Sequence, residues 1–517
     1  MNSIFRVKDE SGRIRHVSVR QVKHEASAKL LENDPQAALA LLSKAVAFAP
    51  GDADVFFLLG EAQTRTGALD SAIQNLQKAV ELNPNHTGFR DTYIKVCCEL
   101  GDKYLNQGRP EDALEISEQA LHACSEHPGI LGNKSVALFK LARYDEAIAC
   151  ALKQLQCKGT PITTLSNLCV FTCAAGQLED AERFGRLAIS LDPTAEMAHY
   201  NLALVLLVAG KYLEGFEKYE WRWQSKAGKA KLRHFTQPLW DGSAIPTKRL
   251  LIYAEQGAGD LIQFVRFLPL VKHLAPNVIL QVPGSAYRLI QAMNQGVKVV
   301  TNEPSPDNFD LQCPLLRLPL LFRIGENPIP PPQRFYIPRD VQAKWETIIP
   351  KSDQTRIGVV WAGSPTHEND RNRSVDLAQL APLLASPAQF FSFQVGPAAS
   401  RIEELGFGVR IQDLSPQLTD YLETAGALLQ MDLVISVDTS VIHLAASLGL
   451  PAWMMVPFAP DWRWLLHRAD SPWYPTLRLF RQTEPGNWKK VVELVNKALA
   501  EYCNPNQHPV SPRPTSN

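Results

Sequence analysis

The stretch GEAQTRTGALDSA, residues 60–72, sets three small residues at fixed places: Gly60, Gly67 and Ala72. The pattern extends well beyond it. Ala26, Gly60, Gly101, Ser135, Cys169 and Ala203 are separated by 34, 41, 34, 34 and 34 residues. Seven residues after each stands Asn33, Gly67, Gly108, Ala142, Gly176 or Gly210, and five further on Ala38, Ala72, Ala113, Ala147, Ala181 or Gly215. Pro50, Pro84 and Pro193 close three of these units. A small residue at the same place in every unit lets two helices pack closely, and a proline stops the second. The spacing predicts about six helix–turn–helix units over residues 23–223, stacked as an all-α solenoid.

This arrangement resembles the tetratricopeptide repeat. The seven extra residues of the third unit amount to about two turns of helix. Cys169 occupies the slot held elsewhere by Ala, Gly or Ser, so it reads as a small packing residue rather than a reactive thiol. Asn133, Asn167 and Asn201 form a second column, each two residues before the small position. Such a column lies along one face of a solenoid, and an amide offers the donor and acceptor that an extended peptide needs. A peptide-binding ladder and a purely local preference for Asn both fit this column.

Composition narrows the classes. The 517 residues suggest about three or four domains. Lys+Arg 53 cancels Asp+Glu 53, so no basic field argues for nucleic acid. No run of eighteen apolar residues predicts a transmembrane helix, and the charged start MNSIFRVKDESGRIRH lacks the apolar core of a secretory signal. Nine irregularly spaced cysteines without a CxxC argue for reduced thiols in a cytoplasm, against disulfides or zinc.

The repeats end in FEKYEWRW (216–223), where Trp221 and Trp223 are expected to dock the solenoid on the neighbouring domain. Residues 224–248 read as a basic, Gly- and Pro-containing connector. From 249 the texture becomes strand-rich. RLLIYAE (249–255), VILQV (278–282), VKVVT (297–301) and FDLQC (309–313) are short apolar runs between helical stretches, the signature of a parallel sheet with helices on its faces. Residues 324–355 are proline-rich and read as a hinge. The pattern then restarts with RIGVVWAGSP (356–365), FFSFQVG (390–396), DLVISVDTS (432–440), PAWMMVP (451–457) and TLRLFRQ (476–482), with helices expected over 376–385, 419–430, 440–449 and 487–503. The tail NPNQHPVSPRPTSN (504–517) reads as disordered. The expected organisation is an extension over 1–22, the solenoid over 23–223, the connector, and two doubly wound α/β halves over 249–345 and 346–503. Ligands bind at the carboxyl edges of such sheets.

Four loops at those edges carry polar chemistry. In QGAGDLIQF, Gly257 and Gly259 could let backbone approach a ligand, but Ile262 replaces the third glycine of a dinucleotide fingerprint. Asp260 is either a cap of the helix it opens or a carboxylate that accepts a proton at the cleft. Asp438, Thr439 and Ser440 lie where a strand hands over to a helix, whose amides and positive end favour a phosphate, and His443 shares that helix face. These groups also fit a capping cluster with a satisfied buried histidine. In GSPTHENDRNRS (363–374), Arg371 and Arg373 supply forks suited to a diphosphate or form a solvated charged loop, while His367 is a weaker candidate. In FAPDWRWLLHRADSPWYP (458–475), Trp462, Trp464, Trp473 and Tyr474 read mainly as packing rather than as stacking platforms for a base or sugar.

Taken together, these segments resemble bacterial tetratricopeptide-fused glycosyltransferases, with a GT-B region of two Rossmann-like domains similar to heptosyltransferases and a layout similar to protein O-GlcNAc transferases. Gly259-Asp260 matches the GD turn of that family, and Asp438-Thr439-Ser440-x-x-His443-Leu444-Ala445 matches its DTG/S-x-x-H-x-A motif. Ser440 stands where Gly is common, and the basic residues of 363–374 are Arg rather than Lys. The resemblance implies a nucleotide-diphosphate sugar as substrate, no metal or other cofactor, and Asp260 as general base. It implies that Asp438, Thr439, Ser440, His443, Arg371 and Arg373 hold the donor diphosphate, and that Gln394 and Gly396 lie near the nucleoside. It implies an acceptor protein held along Asn133, Asn167 and Asn201, with surface proteins such as flagellin as an acceptor class. A scaffold whose transferase-like half is degenerate is the alternative.

Overall fold

The computed structural model describes residues 4–8, 14–124, 126–157, 159, 161–225, 228–229, 233, 235–293, 295–367 and 369–503. The expected disordered tail, 504–517, lies outside them, as do parts of the extension and of the connector. The chain forms two compact units, Met1–Ala175 and Gly176–Asn517. The solenoid expected as one body through residue 223 is thus divided, its last helices packing with the sheets of the second unit.

In the first unit, strands β1 (Ile4–Lys8) and β2 (Ile14–Ser18) pair antiparallel, so the expected plain extension contains a hairpin. Helix Val19–Leu31 starts directly after it, capped by a reciprocal Ser18–Gln21 box, four residues before the expected start of the repeats. Helical pairs come next: Pro35–Phe48 packs on its predecessor, Ala53–Arg65 on Leu69–Leu82, Thr87–Asn106 on Pro110–Ala123, and Pro128–Lys140 on Tyr144–Gln156, before Pro161–Ala174. The 20-residue helix Thr87–Asn106 absorbs the longer third unit, where the other first helices have 13 or 14 residues.

The three columns of small residues have two physical causes. Ala26, Ala38, Ala72, Ala113, Ala147 and Cys169 are fully buried between helices. A Cβ on Gly60 would lie 2.6 Å from Leu76 Cγ. The other column turns the chain. Asn33, Gly67, Gly108 and Ala142 have φ of 62°, 80°, 71° and 57°, the left-handed conformation that ends one helix and redirects the chain into the next.

The second unit opens with helices Leu178–Leu191, Glu196–Val208 and Tyr212–Tyr219. Beyond them lie two all-parallel sheets. Strands β3 (Arg249–Tyr253), β4 (Asn277–Gln281), β5 (Lys298–Val300) and β6 (Leu311–Pro314) lie in the order β5-β4-β3-β6. Strands β7 (Arg356–Val360), β8 (Gln389–Ser392), β9 (Ile411–Asp413), β10 (Leu433–Ser436), β11 (Ala452–Val456) and β12 (Leu477–Arg481) lie in the order β12-β11-β10-β7-β8-β9. In each sheet the strand order reverses beside the first strand, between β3 and β6 and between β7 and β10. Crevices that take ligands open at such reversals.

Several boundaries differ from expectation. The proline-rich segment is not a simple hinge: Arg339–Ile348 is a helix whose buried Trp345 donates from Nε1 to Glu423 Oε2 at 3.0 Å. That helix packs on Tyr421–Leu428 of the second half. The connector is partly folded onto the first sheet, with Trp240 fully buried and its amide bonded to Gln312 O. Trp221 and Trp223 are not the docking aromatics. Trp221 stacks on His199 at 3.8 Å, while Tyr212 and Phe216 of the last repeat meet Trp473 and Trp462 edge-on at 5.6 Å each.

Candidate functional site

β3 ends at Tyr253, and the turn through Gln256 leads into helix Ala258–Phe264. Asp260 sits in the first turn and reaches back, its Oδ2 accepting from Gly257 N at 2.9 Å. It is therefore part of a cap, from the third helical position rather than from the cap position itself. Its Oδ1 takes an ion pair from Arg463. Burial raises the proton affinity of this carboxyl above the ordinary range, and Arg463 opposes that rise. Gly257 has an ordinary φ of −69°. Gly259 is small for another reason: a Cβ there would lie 2.9 Å from His443 Cδ2 and 3.5 Å from Ser440 Cα. The structure thus brings the Gly259-Asp260 turn of the first half against the Ser440–His443 turn of the second.

That second turn follows β10. Thr439 stands at the cap position of helix Ser440–Ser447, and its side chain makes no capping hydrogen bond. Thr439 Oγ1 lies 3.0 Å from Ser436 Oγ, and Ser440 Oγ 2.8 Å from Tyr421 Oη. His443 is buried, with Nδ1 2.9 Å from Tyr474 Oη and Nε2 3.9 Å from Asp438 Oδ1. Burial, with Arg463 and Arg266 nearby, holds the imidazole well below its ordinary pKa, so it is neutral. A carboxylate beside Nε2 favours the tautomer with its proton there, leaving Nδ1 to accept from Tyr474. Asp438 moves the other way: burial and then Asp461 push it up to about 6, against Trp464, Arg373 and Arg463. An ionised carboxylate would repel a diphosphate, which sets Asp438 apart from the other residues of this turn. Its place is beside His443.

The loop after β7 carries Arg373, whose side chain is largely buried against Gly363 and Asp370, with Nε 3.4 Å from Asp370 Oδ1. Its charge favours the ionised form of Asp438, so Arg373 belongs to the same neighbourhood. Arg371 is exposed. His367 accepts from Asn369 N at 3.1 Å, within its own loop. Gln394 Oε1 accepts from Trp361 N and Ala362 N at 3.1 and 2.9 Å, and Nε2 donates to Val395 O at 3.1 Å. Its amide ties the ends of β7 and β8 together. Gly396, with φ 77°, faces open space.

Sequence reading missed the residue at the centre. Arg463, in the loop after β11, donates from Nε to Gln263 Oε1 at 2.6 Å, from Nη1 to Asp461 Oδ1 at 2.8 Å and from Nη2 to Asp260. It lies 4.3 Å over the Trp462 ring. An arginine set between two buried tryptophans was the available signal, since a cation surrounded by bulky apolar residues must find anions. Trp462, Trp464, Trp473 and Tyr474 are buried, in keeping with packing.

In the Asn column, Asn133 is buried and donates from Nδ2 to Cys98 O at 2.9 Å. Asn167 is half-buried, and Asn201 is buried in the second unit.

Comparison with known proteins supports the repeats. Two tetratricopeptide repeat models match, over residues 29–102 and 98–156. Protein FlbA of Caulobacter vibrioides is 23% identical over 537 residues, covering 92% of this chain and 86% of that protein. Among solved structures, YrrB, described as a tetratricopeptide protein with an unusual peptide-binding site, is 17% identical over 36% of this chain and 92% of its own, with a TM-score of 0.29. A tetratricopeptide protein from Parabacteroides merdae is 18% identical over 40% and 79%, with a TM-score of 0.31. Residues 29–156 are tetratricopeptide repeats, stacked helices of a kind that presents surface to protein partners. The region beyond them is α/β with parallel sheets. No described helix is long and apolar enough to cross a membrane.

Proposed function

We propose that this chain is an inverting glycosyltransferase of the GT-B type, which moves a sugar from a nucleotide-diphosphate donor to a hydroxyl of a protein recruited by the repeats. The contact that carries this reading is Gly259 against Ser440 and His443, which sets a lone acidic side chain of one half beside an uncapped helix start of the other.

In this mechanism the diphosphate lies on the first-turn amides of helix Ser440–Ser447, with the Thr439 and Ser440 hydroxyls and neutral His443 as further donors. Arg373, and Arg371 on the outer side of its loop, meet the charge that develops on the leaving group. Asp260 accepts the proton of the acceptor hydroxyl as its oxygen bonds to the anomeric carbon. The bond from that carbon to the diphosphate oxygen breaks in the same displacement, so the anomeric centre inverts.

A second reading, a repeat scaffold with an inert α/β body, is favoured by one observation. Asp260, Ser440 and His443 all have protein partners, in Arg463, Tyr421 and Tyr474. The two readings separate in a thermal-shift panel of uridine, guanosine, cytidine, adenosine and thymidine diphosphate sugars. Stabilisation by one of them, followed by a mass increase of one sugar on a protein acceptor, supports the transferase. Silence across the panel supports the scaffold.

A further inference from the structure

Arg463 is presented by a loop that is itself constrained. Leu465 and His467 have φ of 52° and 53°, left-handed conformations that cost a non-glycine residue about 1–3 kcal/mol each. Arg481 straps the loop from β12, donating from Nε to Arg468 O at 2.6 Å, from Nη1 to Leu465 O at 3.0 Å and from Nη2 to Trp464 O. Burying an ion pair adds little net stability once its desolvation is counted. A strained loop that carries a buried cation, already paired with Asp461 of the same loop, to Asp260 of the other half therefore points to a task other than holding the fold.

We infer that Arg463 is the positioning residue of this site, holding the Asp260 carboxylate through Nη2 while its Nη1 and Nε are anchored on Asp461 and Gln263. Its catalytic meaning rests on the transferase reading, but the pairing can be tested without it. The charged groups that act on Asp260 are Arg463 and Asp461 from the strapped loop, while Asp438 from the β10 turn and neutral His443 from the adjoining helix lie within reach of Arg463. Arg463 favours the carboxylate, and Asp461 disfavours it.

The test is carbodiimide labelling of carboxyls in the full chain across pH 3–8, read at Asp260 by peptide mass mapping, with exposed Asp340 as the internal control. An opposite charge at ion-pair distance moves a carboxyl by about 1–3 pH units. The Asp260 midpoint is expected to rise by about that much in Arg463→Gln and to return toward wild type in Arg463→Lys, with Asp340 unmoved. Asp461→Asn is the second variant, needed if Arg463→Gln does not fold. It frees more of the cation for Asp260, so the midpoint should fall; Asp461→Glu, which keeps the charge, is expected to leave it near wild type, whereas loosening of the fold would admit solvent and lower it in both variants. An unchanged Asp260 midpoint in the folded variants overturns the assignment. Shifts in these directions alongside a silent nucleotide-sugar panel keep the positioning role and remove only the transfer reading.

Discussion

Asp438 Oδ1 lies 3.9 Å from His443 Nε2, and burial moves their proton affinities in opposite senses, the acid up to about 6 and the imidazole well below its ordinary value. Near neutral pH the pair is a carboxylate beside a neutral imidazole. His443 can then donate a hydrogen bond without adding a cation to a site already crowded by Arg463 and Arg266.

The stability of the second unit should carry this signature. The folded state binds the Asp438 proton more tightly than the unfolded state, so this group stabilises at low pH. That contribution is lost as pH rises from about 4 to above 6. Asp438→Asn should leave stability near unchanged at pH 4 and raise it by about 1–3 kcal/mol at pH 7.5. Denaturant melts at the two pH values measure the difference. A variant that is equally destabilised at both would contradict the burial argument.

Asp260→Asn keeps the shape of the side chain but cannot accept the acceptor proton. Transfer should fall by about 100- to 10,000-fold, the usual contribution of a general base, while donor affinity in calorimetry changes by less than about threefold. Turnover that survives this substitution would remove Asp260 from the mechanism.

Ala142 occupies a left-handed turn that glycine fills in neighbouring repeats. Ala142→Gly should relieve strain and stabilise the first unit by about 0.5–1 kcal/mol, seen as a rise of about 1–4 °C in its melting midpoint. Asn33→Gly should give less, since Asn tolerates this conformation better.

Changing Asn133 and Asn167, the two column positions of the first unit, together to Ala should weaken a protein acceptor without slowing donor hydrolysis. Asn133 also bonds the Cys98 carbonyl, so its loss costs about 1 kcal/mol of stability apart from any ladder. Asn167→Ala is therefore the cleaner single probe, read as a rise in acceptor KM at constant hydrolysis rate.

The repeats were legible because close helix packing and left-handed turns are local demands that leave small residues at a fixed period. The sheet strands were legible because strands buried on both faces read as apolar runs. β9 did not show because only Ile411 of its three residues is buried, so it carries no apolar run, and helix Arg339–Ile348 was masked by the prolines before it. At the site, the Asp438–His443 segment is contiguous, so its grouping could be read from the chain. Arg463 could not, since Gln263 and Asp260 are 200 and 203 positions away. The bonds of Gln394 were not legible, because an amide at a sheet edge looks the same whether it faces a ligand or brackets two strands.

Gly259 offers the most direct check on the meeting of the two halves. In Gly259→Ala the new methyl would sit 2.9 Å from His443 Cδ2 and 3.3 Å from Nε2, closer than packed atoms come. The imidazole cannot yield freely, because Tyr474 holds Nδ1 and Trp464 packs 5.2 Å from the ring. The backbone turn must therefore move away from Ser440, costing about 1–3 kcal/mol of stability as overpacking does. Asp260 moves with it, so transfer should fall even though no catalytic group has been altered. The comparison that decides is Gly284→Ala, at a helix start of the same half where a Cβ meets nothing within 4 Å. If the two variants melt and turn over alike, the turns do not meet as described.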